Sequence, residues 1–259
     1  MRLFTHQRQA LLFAAVLAVI GSQTSWAQTS DTLKWNCGYG KDSVKAMLIG
    51  NTLTISGTGK MQEYGILINP VPPWYDHRSI IYSVVIDSGV TLIGRNSFAA
   101  HNAMTSIIIP ESVTEIGMEA FNGCKSLTSI TIPNSVKTIR MAAFAYCTGL
   151  TEVTIPEGVT EIVHTVFSGC KGLKTIKIPK SVTTIADMAF YNGCTSLTSI
   201  IYLNPIPPRI SEITFPMTNN ICLYVPQDYI AAYASANYWK NFSCIKDTGE
   251  RDVFGEGRD

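Results

Sequence analysis

Residues 127–149 read LTSITIPNSVKTIRMAAFAYCTG, and the same unit recurs along most of this 259-residue chain. Phe98, Phe121, Phe144, Phe167 and Phe190 stand 23 residues apart. Pro110, Pro133, Pro156 and Pro179 keep that step, as do Val90, Val113, Val136, Val159 and Val182, and Ile93, Ile116, Ile139, Ile162 and Ile185. An earlier unit fits through Ile81, Val84 and Ile86, with Asp87 where later units have proline. The last unit gains one residue near Asn192 before Leu197, Ser199 and Ile200 resume the pattern. Self-similarity at a fixed period signals stacked repeats rather than a globular core.

Within the unit, the opening six residues are apolar at the first, fourth and sixth places, as in Leu127, Ile130 and Ile132. That spacing predicts a short strand with those side chains turned inward. Pro133 has no N–H and should close the strand. The Val and Ile that follow, three residues apart, suit a second short extended segment on the far side. Ala120-Phe121 and its equivalents should fill the interior as each coil returns. One coil alone leaves Leu, Ile and Phe wet, so stacking supplies the stability. At the usual strand spacing, five or six coils cover roughly 25 Å. The expectation is a right-handed, curved solenoid with a parallel sheet along one face, mainly β with short irregular or helical turns.

The bulk composition agrees. With 46% hydrophobic and 15% charged residues the chain is not disordered, and Ser, Thr and Asn must cover much of its surface. Arg2 and Arg8, the apolar run Ala10–Ile20 and the small residue Ala27 predict a secretory signal over 1–27. The run is too short to span a bilayer, although an uncleaved anchor is the competing reading. No cysteine directly follows Ala27, so a lipoprotein anchor is not supported. No later segment has the length and hydropathy of a transmembrane helix. Without residues 1–27 the chain carries 18 basic and 19 acidic residues, with no basic run, which argues against a nucleic-acid partner.

The core motif Leu127-Thr128-Ser129-Ile130-Thr131-Ile132-Pro133, followed by Ser135-Val136, Ile139, Ala143-Phe144 and Cys147, resembles the BspA-like leucine-rich-repeat family of bacterial cell-surface proteins, notably in Bacteroidetes. The flanks resemble it too. Residues 51–61 with Pro72-Pro73-Trp74-Tyr75 look like the segment before its repeats. Leu223-Tyr224-Val225-Pro226, Tyr233, Trp239, Asn241-Phe242 and Ile245 look like its ending. The resemblance covers roughly 35–247 and implies surface display and binding, often of host proteins. It brings no catalytic motif. The expected organisation is a signal over 1–27, an N-terminal β-rich cap over 28–80 and repeats over 81–203. A C-terminal cap over 204–247 and a mobile Gly- and charge-rich tail over 248–259 complete it. Within the caps, Leu48–Ile55 around Gly50-Asn51 suggests a hairpin, Ile221–Val225 a strand, and Asp228–Ala236 a short helix.

Several residues could be mistaken for an active site. Cys124, Cys147, Cys170 and Cys194 share one repeat position, and stacked side chains sit farther apart than a disulfide wants, so buried free thiols are expected. Cys222 and Cys244 could pair, leaving Cys37 over. No CxxC or HxxxH spacing suggests a metal. His101 falls in the cysteine column and reads as a repeat substitution. His164 lies in a variable column and reads as surface, and His77 lies beside Trp74 and Tyr75 in the N-terminal cap. Gly57-Thr58-Gly59-Lys60 lacks the spacing of a phosphate loop and reads as a turn. Neither catalysis nor a cofactor is expected.

The second, third and fifth residues of each strand should face solvent on the concave sheet. At the centre these are Thr128, Ser129 and Thr131; Thr151, Glu152 and Thr154; and Lys174, Thr175 and Lys177. Val85, Ile108 and Ile201 leave apolar spots toward the ends. Of these, Thr128, Thr131, Thr151, Glu152, Thr154, Lys174, Thr175 and Lys177 form the candidate protein-binding face. Threonine also suits a solvated strand, so such a ladder needs no ligand to explain it. The expected partner is a protein, such as a host extracellular-matrix or surface glycoprotein, for a chain exported to the surface or medium. A structural role in the bacterial envelope, including the periplasm, is the alternative.

Overall fold

A computed structural model describes residues 32–65, 70–215 and 218–249. The expected signal peptide and most of the tail lie outside the described residues.

In chain order, β1 (Leu33–Asn36), β2 (Lys45–Ile49) and β3 (Thr52–Ser56) form an antiparallel meander, with the expected hairpin turning through Gly50. The chain then begins to wind through β4 (Gly59–Lys60), β5 (Ser83–Ile86), β6 (Val90–Ile93), β7 (Ser106–Ile108), β8 (Glu115–Ile116) and β9 (Thr138–Ile139). It continues through β10 (Glu152–Thr154), β11 (Glu161–Ile162), β12 (Thr175–Ile178), β13 (Thr184–Ile185) and β14 (Ser199–Tyr202). The C-terminal flank adds β15 (Cys222–Val225), the helix α1 (Ile230–Ser235) and β16 (Cys244–Asp247). The result is a β-solenoid of about seven turns, somewhat more than the repeats alone suggest. The extra turns come from the flank: β14, β15 and β16 pair in parallel, so the winding continues past the break at Asn204–Pro208.

Each coil has three walls. The front wall carries β3-β5-β7 and β10-β12-β14-β15-β16; the back wall carries β4-β6-β8-β9 and β11-β13. The third wall is a hydrogen-bonded turn around each phenylalanine. There Phe98, Phe121, Phe144 and Phe167 each donate their N–H to the next coil, at 2.9–3.0 Å. Two columns of left-handed residues run along this wall. One column is Asn96, Glu119, Ala142, Thr165 and Met188, at φ 55–61°. The other runs through Ala100, Gly123, Tyr146, Gly169 and Asn192. These reversals bend the chain around the ring.

The rings stack as one column. Successive centroids from Phe98 to Phe190 lie 5.4–5.7 Å apart with planes within 15° of parallel. Trp74 closes the column at one end, 6.0 Å from Phe98, where its indole N–H donates to the Ser97 carbonyl. Phe215, 4.7 Å from Phe190, extends the other end toward Trp239 and Phe242. Beside this column, the thiols of Cys124, Cys147, Cys170 and Cys194 donate to the carbonyls of Phe98, Phe121, Phe144 and Phe167, each in the preceding coil, at 3.1–3.2 Å. They are buried and unbridged, as is Cys37, whereas Cys222 and Cys244 form a disulfide.

The expected single front sheet is divided in two. Among the described residues no main-chain hydrogen bond joins Thr105–Ile109 to Thr128–Ile132, whereas the latter is tied to the next coil by the Ser129–Glu152 bridge and by the Thr151 N–H, which donates to the Thr128 carbonyl at 3.1 Å. On the back wall the break falls one coil later. There β8 pairs β9, but β9 does not reach β11. The coil from 127 to 149 is therefore tilted, bonded at the back to its predecessor and at the front to its successor. The isoleucines beside the break still pack against the core, as expected, but are less covered than their equivalents. Ile107, Ile109 and Ile130 are only half-buried, whereas Val84, Val153, Ile176 and Ile200 in the same column as Ile107 and Ile130 are at most 1% exposed.

Candidate protein-binding face

The pleat turns the third and fifth residues of the unit outward, and the second, just before the strand, is exposed as well. Registers Glu152↔Thr175↔Ser199 and Thr154↔Lys177↔Ile201 align them in rows along the solenoid. Thr128, Thr131, Thr151, Glu152, Thr154 and Lys174 are exposed, and Thr175 and Lys177 are half-buried. The structure thus brings all eight sequence-selected residues onto one wall.

Their chemistry divides. The Thr151 hydroxyl donates to the Thr128 carbonyl at 3.2 Å, as Thr105 does to Tyr82 one coil before the seam. Those hydroxyls tie coil to coil. Thr128 itself makes no such bond, because the carbonyl it would reach lies across the front seam. Thr131, Thr154, Glu152 and Lys174 have no side-chain hydrogen bond or ion pair among the described residues. These are the groups with polar capacity to offer a partner. Sequence could not separate the two kinds of threonine, because both are threonines on the same outward rows.

A hollow of about 280 Å³ lies where the front wall turns at the prolines. Ile130, Thr131, Thr154, Lys177, Glu157 and Pro156 are among its lining. Sequence reading overlooked Glu157 and Asn134, its rim residues, because both sit just past the strand. A second hollow of about 350 Å³ lies in the C-terminal flank between Phe215, Glu212 and Asn241, and contains none of the expected residues.

The other candidate groups are accounted for by packing. His101 is buried in the cysteine column, its Nδ1 3.1 Å from the Ala99 carbonyl. Burial lowers its pKa to about 4, so the ring is neutral at pH 7. Burial pushes the Cys37 and Cys194 thiols up to about 12 and raises Cys124 and Cys170 well above the ordinary range, so none of these four is a ready nucleophile. His164 is exposed and bonds the Asp187 carbonyl through Nδ1, and His77 packs against Trp35. Gly57 and Gly59 turn at φ 107° and 106°. No group of three or more metal-binding side chains, and no helix long and apolar enough to cross a membrane, occurs among the described residues.

The family profile described as "BspA type Leucine rich repeat region" matches residues 75–222 in six copies. That is more than half of the sequence, and the chain belongs to this family. Among solved structures, a leucine-rich repeat protein from Eubacterium ventriosum is 20% identical, covering 83% of this chain and 85% of that one, with a TM-score of 0.36. The Treponema pallidum leucine-rich repeat protein is 22% identical, covering 68% and 91%, with a TM-score of 0.39. A leucine-rich cell surface protein from Faecalibacterium prausnitzii is 19% identical, covering 82% and 95%, with a TM-score of 0.25. At these values none carries an argument about function. No curated protein matches the chain.

Proposed function

We propose that this BspA-type protein is an exported binding module that engages a protein partner through its front wall at the bacterial surface. The observation that carries this reading is the row of exposed polar groups without side-chain partners among the described residues. Glu152 and Lys174 lie at strand β10 and just before β12, with Thr131 and Thr154 beside them. A stacked scaffold holds them at fixed spacing, so little ordering entropy opposes binding. Membership of a family of surface repeat proteins supports the same reading. In this reading residues 1–27 are the export signal, 28–80 and 204–247 protect the ends of the stack, and the partner is a host matrix or surface glycoprotein.

The test is a binding screen of the chain against immobilised matrix and plasma glycoproteins, with Lys174→Glu/Lys177→Glu as the probe variant. A saturable signal lost on the double charge reversal supports the front wall as the site. An affinity unchanged by that variant removes the assignment. A folded protein that binds nothing on the panel and fractionates only with the periplasm contradicts adhesion and favours the envelope role.

A further inference from the structure

The front seam is more than a missing rung. In a parallel ladder, alternate residues turn both main-chain groups toward the same neighbour. With the 23-residue step, Ile107 and Ile109 turn theirs toward the next coil, and Ser129 and Thr131 turn theirs back. Neither lip has its ladder partner. The turn wall is continuous at the same place: Phe121 and Phe144 stack at 5.4 Å, and Gly123 donates to Ala145 at 2.8 Å. The coils are thus bonded at the ring wall and, through β8 and β9, at the back, and are unbonded at the front. Both lips also leave core side chains half-buried, Ile107 and Ile109 on one and Ile130 on the other.

Unpaired strand groups beside half-exposed apolar side chains are what an extended polypeptide completes, through main-chain hydrogen bonds and alternate side-chain pockets. A glycan would leave the isoleucines wet, and an apolar small molecule would leave the amides unsatisfied. We propose that the seam receives an extended segment of the partner polypeptide, which adds as a strand to the free edge of β7 and packs its apolar side chains on Ile107, Ile109 and Ile130. This rests on the reading of the chain as a protein-binding module and names the form of its partner.

The natural disulfide supplies the test. Cys222 and Cys244 pair directly across β15 and β16, in the row that continues through Ser199, Thr175, Glu152 and Ser129. Ser106→Cys with Ser129→Cys should staple the seam in the same way. Thr52→Cys with Ser83→Cys is the control, because β3 and β5 already pair directly there and neither residue lies on β7. The probe is a fluorescein-labelled peptide copying residues 172–179, a front strand of this chain, titrated against the intact protein.

The expected result is saturable binding that weakens at least about tenfold when the seam is stapled and is unchanged in the control. Amide chemical shifts of Ile107 and Ile109 should move on titration, a readout that needs no variant. Absence of peptide binding, binding indifferent to the staple, or unmoved Ile107 and Ile109 amides would each overturn the proposal. Glycoprotein binding that survives the staple leaves the protein-binding reading intact and removes the seam alone.

Discussion

The turn wall and the front wall are built from the same coils, yet one is continuous and the other is divided. The turn wall stacks a large flat ring, a thiol bonded to the preceding coil and several N–H donors per repeat. The front wall has a short strand ended by a proline that cannot donate its last rung. Where the proline column holds another residue, that rung exists: Asp87 donates to Ile55 at 2.8 Å and Leu203 to Ile178 at 3.0 Å. Pro110, Pro133, Pro156 and Pro179 cannot make it. The rings set the spacing of the solenoid, and the front sheet follows where coil tilt permits.

Substitutions on the two walls should therefore differ most. Phe144→Ala, in the middle of the column, should cost about 3–5 kcal/mol in urea unfolding, because removal of a fully buried ring leaves a cavity between two others. Ile176→Ala on the closed part of the front wall should cost about 2–5 kcal/mol, and Ile130→Ala at the seam clearly less than Ile176→Ala. Equal losses for Ile130 and Ile176 would mean that the seam is closed in solution.

His101 probes the cysteine side of the turn wall. Its Nε2 has no partner among the described residues, so a proton there would be buried and unpaired. The folded protein holds the ring neutral to about pH 4, whereas the unfolded chain takes up the proton near 6.5. The unfolded state binds more protons between those values, so stability falls as pH falls through that window, by about 3 kcal/mol in all. His101→Cys restores the column's usual residue and should flatten that part of the stability–pH profile. A slope that persists in this variant would place its origin elsewhere.

The smallest effects concern the left-handed turns. Thr165 adopts φ 59° with a β-branched side chain, so Thr165→Gly should gain up to about 1 kcal/mol in thermal unfolding. Gly169→Ala should lose a similar amount, about 1 kcal/mol, because φ is 72° and the new Cβ would lie 2.5 Å from the Tyr146 ring. Opposite signs at these neighbouring positions would show that backbone conformation, not composition, decides them.

Much of this was legible in the sequence because it is periodic. The phenylalanine and cysteine columns, the strand-ending prolines and the outward rows all follow from the 23-residue step. Phe215 was hidden by its 25-residue distance from Phe190, which follows the insertion near Asn192. The left-handed column gave no glycine signal, since Asn96, Glu119, Ala142, Thr165 and Met188 share no side-chain type. The disulfide ran against the spacing argument used for the buried column, because strand neighbours at a Cα separation of 4.7 Å can be bridged where the thiols face outward. The seam was illegible for a different reason. Ile107 and Ile130 have the residue type of a closed wall, and their opening comes from the tilt of a whole coil.

Native-state hydrogen exchange on the intact chain tests the divided-wall account most directly, because it reads each main-chain hydrogen bond separately. The amides of Phe121, Gly123 and Phe144 are expected to exchange only with global unfolding, and those of Ile107, Ile109 and Thr131 far sooner. Protection of Ile107 and Ile109 equal to that of Val153 and Ile176 would contradict it, and the front wall would then be one continuous sheet.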